Sequence, residues 1–118
     1  MSKRTDEESL NDIREAIQRI VSYVRGMTYE TFIADTRTQD AVIRNIEIMG
    51  EAAKNLSAQT RARYARIPWR QMAGTRDRLI HNYFGVNIDI VWQIADAELP
   101  RILSVLNKIK QERGDNGE

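Results

Sequence analysis

Stretch after stretch of this chain repeats its apolar residues three and four positions apart, and no other feature limits the possible folds as much. Between Asp6 and about Arg25 the repeat runs Leu10, Ile13, Ile17, Ile20, Val21 and Val24, which lays one apolar stripe along a helix. Glu7 and Glu8 suit the first turn of that helix and Arg25 its last, because their charges oppose the helix dipole. Gly26 supplies a stop. Thr28 and Thr31 open a helical turn or two around Tyr29, Phe32 and Ile33. A second long helix is predicted from about Thr38 to Leu56, with Val42, Ile46, Met49, Ala53 and Leu56 on its inner stripe. That spacing suits close packing against an antiparallel neighbour.

Gly50 stands inside this second helix, where glycine costs about 1 kcal/mol relative to alanine. Such a glycine marks the close approach of another backbone. A short polar helix over 58–65 leads to Ile67 and Pro68, and Pro68 is placed to be the first residue of a further helix. That helix carries Trp69, Met72, Leu79 and Ile80 and ends between His81 and Gly85. Ile88, Val91, Trp92, Ala95 and Leu99 form the next stripe, which Pro100 either kinks or ends by starting a fresh helix. Ile102, Leu103, Leu106 and Ile109 continue the pattern. The segment 112–118 holds no apolar residue and is expected to be a disordered polar tail, leaving 1–111 as one helical domain. Apolar and polar residues alternate nowhere as they would in strands. The expected fold class is therefore all-α: an antiparallel bundle of three or four long helices with shorter ones between.

Composition narrows the function. Of 118 residues, 42% are hydrophobic and 30% charged, with no cysteine, so disulfides, iron–sulfur clusters and thiolate zinc sites are excluded. The most apolar stretch, around Ile88 to Ala95, is interrupted by Asp89 and falls far short of the ~20 residues that cross a bilayer. The opening residues, MSKRTDEESL, lack the apolar core of a signal peptide. A cytoplasmic protein without membrane contact is expected.

The net charge is only +1, but six arginines and a single acid, Asp77, fall between residues 61 and 78. Those arginines are Arg61, Arg63, Arg66, Arg70, Arg76 and Arg78, and arginine suits bidentate contact with phosphate. A basic stripe on a nearly neutral chain points to a nucleic-acid partner, or else to an ion-paired, solvated face. Just beyond it stands His81, the one histidine of the chain. Histidine exchanges protons near neutral pH, and an arginine beside it can hold a phosphate oxygen. Arg76 and His81 together suit chemistry at a phosphodiester. The plainer reading is a histidine capping a helix end. On a continuous helix Arg76 lies about 140° around from His81, so the two converge only where the helix ends or loosens; Gly85 can supply that ending.

Residues 67–92, IPWRQMAGTRDRLIHNYFGVNIDIVW, resemble the signature region of HEPN-domain proteins, and in particular the HepT group of toxin–antitoxin toxins. The group's Arg-x4-His-x-Tyr motif is matched by Arg76, His81 and Tyr83, with Asp77 in the polar position after the arginine. IRNIEIMGEAAKNLS, residues 43–57, resembles the family's second long helix. The resemblance implies an all-α homodimer acting as a metal-independent endoribonuclease without a cofactor, its two motifs facing each other across the interface. Arg76, Asp77 and His81 are then the catalytic residues. Arg66, Arg70, Arg78 and Asn82 are expected to hold RNA. The implied partner is an antitoxin of the minimal nucleotidyltransferase type, MntA, which silences the toxin by adding AMP to Tyr83. The alternative is a non-catalytic helical module that binds nucleotide or nucleic acid for a neighbouring nucleotidyltransferase.

Chemistry independently favours a dimer. Cleavage through the RNA 2′-hydroxyl needs one group to accept a proton and another to donate one, and one chain has a single histidine. A symmetric pair brings a second. Glu47 and Glu51, one turn apart, can bind a divalent ion, but a solvated face or pairing with Arg44 is the stronger reading. Trp69 and Trp92 can stack bases, yet their places in apolar stripes favour core or interface. Asn45 is a candidate to line the cleft.

Overall fold

A computed structural model of the chain describes residues 4–79 and 85–115. Among them are helices and no strand: α1 (Asp6–Val24), α2 (Tyr29–Ile33), α3 (Thr36–Lys54), α4 (Ala58–Arg63), α5 (Trp69–Ala73), α6 (Thr75–Leu79), α7 (Ile88–Gln93), a π-helical turn (Ile94–Glu98) and α8 (Leu99–Asp115). The all-α expectation holds, and both long N-terminal helices fall within two residues of their predicted bounds. α8 runs on to Asp115, into the segment expected to be a polar tail; residues 116–118 lie outside the described residues.

Local sequence explains the starts and stops. Thr5 caps α1, its hydroxyl accepting the Glu8 N–H (3.1 Å) while the Glu8 carboxylate accepts the Thr5 N–H (2.8 Å), a reciprocal pairing that satisfies two otherwise orphaned donors. Thr28 and Thr31 do the same for α2. Asp35 caps α3 through the Thr38 N–H, 3.0 Å, which moves its start ahead of the apolar stripe. Gly26 leaves α1 at φ +78°, where glycine is strain-free.

Packing follows the stripes. α1 lies along α3, α5 crosses α3, and α8 with the π turn closes over α1. Ile13, Ile17, Ile20, Val42, Ile46 and Met49 are fully buried where they meet. From α2, Phe32 enters this core and packs against Trp92 of α7, ring centroids 5.2 Å apart. Tyr29 of α2 also donates its hydroxyl proton to Asp89 of α7. Trp69 is buried, its indole N–H donating to the Tyr64 carbonyl at 3.1 Å, so the reading of both tryptophans as packing residues stands.

Two expectations need correction. The helix expected to run unbroken from Pro68 is split: α5 ends at Ala73, capped by Gly74, and α6 begins at Thr75, whose hydroxyl donates to the Met72 carbonyl at 2.6 Å. Pro68 is the N-cap of α5 rather than its first helical residue. At Pro100 the change of helix falls one residue earlier, where α8 begins at Leu99. The π turn lies immediately before it, the Leu99 N–H reaching back five residues to Ile94. Proline lacks an N–H and its ring crowds the carbonyl four residues back; one wide turn accommodates it without ending the helix.

One polar tie joins the start of α1 to the α3–α4 connection. Asp6 accepts the Ser57 N–H (3.0 Å) and the hydroxyls of Ser57 and Thr60 (2.5 Å each). The Ser57 hydroxyl, then that of Thr60, hold its carboxyl below the usual carboxylate range. A pKa lowered on folding contributes stability above the unfolded value of about 3.9 and loses it as pH falls through the folded one. Asp6→Ala is expected to cost about 1 kcal/mol at neutral pH. Urea midpoints of the two proteins should converge as pH drops below about 4; a gap that widens in acid contradicts this.

Candidate nucleic-acid interface

Arg76, the motif arginine, sits one residue into α6 and is exposed. It lines an open groove of about 450 Å³ that α1 and α3 wall on the other side. From α3 come Arg44, Glu47, Glu51 and Lys54, and from α1 Asp12, paired with Arg4 just ahead of that helix, Nε to carboxylate at 2.8 Å. Arg44, Lys54 and Arg76 have no hydrogen-bonded or ionic partner among the described residues. Glu47 and Glu51 share the groove, yet neither is ion-paired with Arg44. With Arg4 and Asp12 neutralising each other, the remaining charges leave a cation in excess.

α3 and Gly50 bring these groups together. Arg44, Glu47, Glu51 and Lys54 stand three, four and three residues apart, so they form a polar stripe beside the apolar one. This spacing was the signal for Arg44 and Lys54, which sequence reasoning did not assign to the site. The Gly50 Cα faces α5 so closely that an added Cβ would sit 3.2 Å from the Met72 carbonyl oxygen. The close approach expected of this glycine is therefore real. It draws α5, and with it Arg76, against the groove.

Asp77 is exposed on α6, its N–H bonded to the Gly74 carbonyl at 3.1 Å. His81, Asn82 and Tyr83 lie outside the described residues. The chain on either side of them is drawn together: the Asn87 N–H donates to the Leu79 carbonyl at 2.6 Å. Gly85 takes φ +107°, a conformation open to glycine and strained for other residues.

The remaining arginines divide. Arg66 and Arg70 are exposed, without ionic partners among the described residues. Arg78, expected to contact RNA, instead has both terminal nitrogens on the Glu98 carboxylate, at 3.1 and 2.9 Å. This half-buried fork ties α6 to the π turn, and nothing in the local sequence points to a partner twenty residues away. Asn45 is buried and donates to the Ala41 carbonyl at 2.9 Å, so it does not line the groove. No three His, Cys, Asp or Glu side chains converge as a metal site among the described residues, and no described helix is long and apolar enough to cross a membrane.

Comparison with known proteins agrees with this arrangement. Residues 13–109 match the family model described as "Ribonuclease HepT-like". "Probable ribonuclease HepT" of Thermococcus cleftensis is 40% identical over 109 residues, which cover 92% of this chain and 99% of that protein. "Putative RNase MJ0127" of Methanocaldococcus jannaschii is 39% identical, covering 92% and 90%. "Putative RNase TTE0752" of Caldanaerobacter subterraneus subsp. tengcongensis is 36% identical, covering 92% and 97%. No solved structure matches. With the helical fold and most of its length accounted for, the chain belongs to the HepT-like ribonuclease family of HEPN-type domains.

Proposed function

We propose that the chain is the toxin of a two-gene toxin–antitoxin pair, an endoribonuclease whose cleaving site is assembled from Arg76, Asp77 and His81 of two facing copies. The observation that carries this is Arg76 itself. The motif arginine lies on an open groove beside two further cations, none of the three paired among the described residues, where a backbone phosphate can be held. One His81 takes the proton from the RNA 2′-hydroxyl. The 2′-oxygen then attacks phosphorus and the 5′-oxygen leaves, protonated by the partner's His81. Arg76 stabilises the charge that builds on the phosphoryl oxygens. Arg66, Arg70 and Asn82 hold the flanking strand, with Arg78 joining them only at the expense of its pair with Glu98.

Every group in this scheme is a side chain, so cleavage needs no metal ion. Purified protein should cut single-stranded RNA at the same rate in EDTA as without it. Full inhibition that Mg²⁺ or Mn²⁺ reverses would sink this mechanism.

Regulation falls to Tyr83 and an MntA-type nucleotidyltransferase. The tyrosine oxygen attacks the α-phosphate of ATP, pyrophosphate leaves and the phenolic proton is lost, so that AMP is joined two residues from His81. The added phosphate and base block the groove and compete for its arginines. Tyr83→Phe keeps the ring and removes the attacking oxygen. Incubated with the nucleotidyltransferase and ATP, wild type should gain one or more AMP masses and the variant none. An equal gain on both places the modification elsewhere.

A further inference from the structure

We propose that the open hollow between α4 and α5 is a second RNA site, which holds a single-stranded stretch of substrate beyond the groove that Arg76 lines; this rests on the ribonuclease reading above. The hollow measures about 710 Å³, within the range of small-molecule clefts. Arg61 and Arg70 line it together with the apolar Ala58, Ala65, Ile67 and Pro68. An apolar floor between guanidinium groups matches a nucleotide, with the base on the floor and phosphates on the forks.

Charge selects the occupant. Residues 58–71 carry Arg61, Arg63, Arg66 and Arg70 and no acid. None of these four is ion-paired among the described residues, whereas Arg4, Arg19 and Arg78 each hold a carboxylate. The Arg61 Nε is buried and has no acceptor among the described residues, so no described group competes with a phosphate for this guanidinium. The neighbouring Arg63 guanidinium lies 5.4 Å over the Tyr64 ring, an arrangement on which a base can stack further. A single strand fits better than a duplex, whose base faces are hidden.

The hollow and the groove flank one short helix. Arg70 and Gln71 line the hollow, Ala73 and Arg76 the groove. Five residues lie between Arg70 and Arg76, so their Cα atoms are at most about 20 Å apart. One strand crossing α5 can occupy both.

The test is fluorescence anisotropy with an unstructured RNA carrying 2′-O-methyl groups, which block attack by the 2′-oxygen and leave binding intact. Arg61→Gln/Arg70→Gln should raise Kd at least ~10-fold and flatten the plot of log affinity against log salt by roughly 1.4, about 0.7 for each lost phosphate contact. Arg37→Gln/Arg101→Gln removes the same charge from exposed positions outside the hollow and should shift Kd far less. Because Arg61 is partly buried, Arg61→Lys, which keeps the charge and loses the fork, serves as a second variant should the first pair fail to fold, and it should weaken binding with little change in slope. Unchanged affinity and slope in the hollow variants overturn the proposal. So does weaker binding that tracks a change of oligomeric mass in sedimentation, since the hollow is then a protein interface. A wild type that binds RNA through the hollow yet cuts none refutes the ribonuclease reading alone, and one that cuts RNA while the variants bind normally refutes the hollow alone.

Discussion

His81→Ala and Arg76→Ala each lower RNA cleavage by about 10²-fold or more, the size of the effect when a proton-transfer group or a charge-stabilising group is lost from a transition state. The chain has no second histidine to substitute for His81. Arg76 is exposed and holds no described partner, so its removal should leave the urea midpoint within about 0.5 kcal/mol of wild type. Loss of activity in that variant then reports chemistry or phosphate binding, not folding. Adding excess His81→Ala chain to wild type should lower cleavage beyond simple dilution, because a mixed dimer carries a single His81 where the shared cleft needs one to accept a proton and one to donate it. Wild-type cleavage by His81→Ala would refute the assignment. A fully active monomer in sedimentation at assay concentration would refute the shared cleft.

Gly50→Val is expected to be the most disruptive single change to the fold of the site. Even a Cβ at this position would lie 3.2 Å from the Met72 carbonyl oxygen and 3.8 Å from that of Ala73. Both are backbone atoms of α5, which can move only by shifting the helix. Valine adds two methyl groups to this contact, and overpacking of that kind costs about 1–3 kcal/mol, here towards the upper end. For a domain of this size the melting temperature should fall by roughly 10 °C. Gly50→Ala is the control. It gains about 1 kcal/mol of helix propensity and needs a shift of only a few tenths of an ångström, so it should stay near neutral. Because α5 leads directly into Arg76, the valine variant should also lose cleavage at temperatures where it remains folded. Equal melting temperatures for valine and wild type would contradict the close approach of α3 and α5.

Most of the helices were legible in the sequence because their causes are local. A stripe at helical spacing, as in Leu10, Ile13, Ile17 and Ile20, needs only neighbours within a few turns to declare itself, and capping residues such as Thr28 with Thr31 act over three positions. Gly50 was legible too, since a glycine inside a good helix asks for a packing reason. The motif carried by Arg76, His81 and Tyr83 was readable as a pattern of residue types. What tertiary structure alone decided were the long-range choices. Arg78 and Arg70 have the same side chain and stand eight residues apart, yet one is bound to Glu98 and the other has no ionic partner among the described residues; the difference is a partner delivered by the π turn. Thr75 and Gly74 divide a helix that periodicity alone would continue, the break falling directly after the carbonyls of Met72 and Ala73 that face α3 at Gly50. Arg44 and Lys54 became neighbours of Arg76 only when α5 crossed α3. Helical periodicity is set by steric and hydrogen-bond rules a few residues long, whereas the choice of partner for a charge depends on which distant elements pack against it, and no local spacing encodes that.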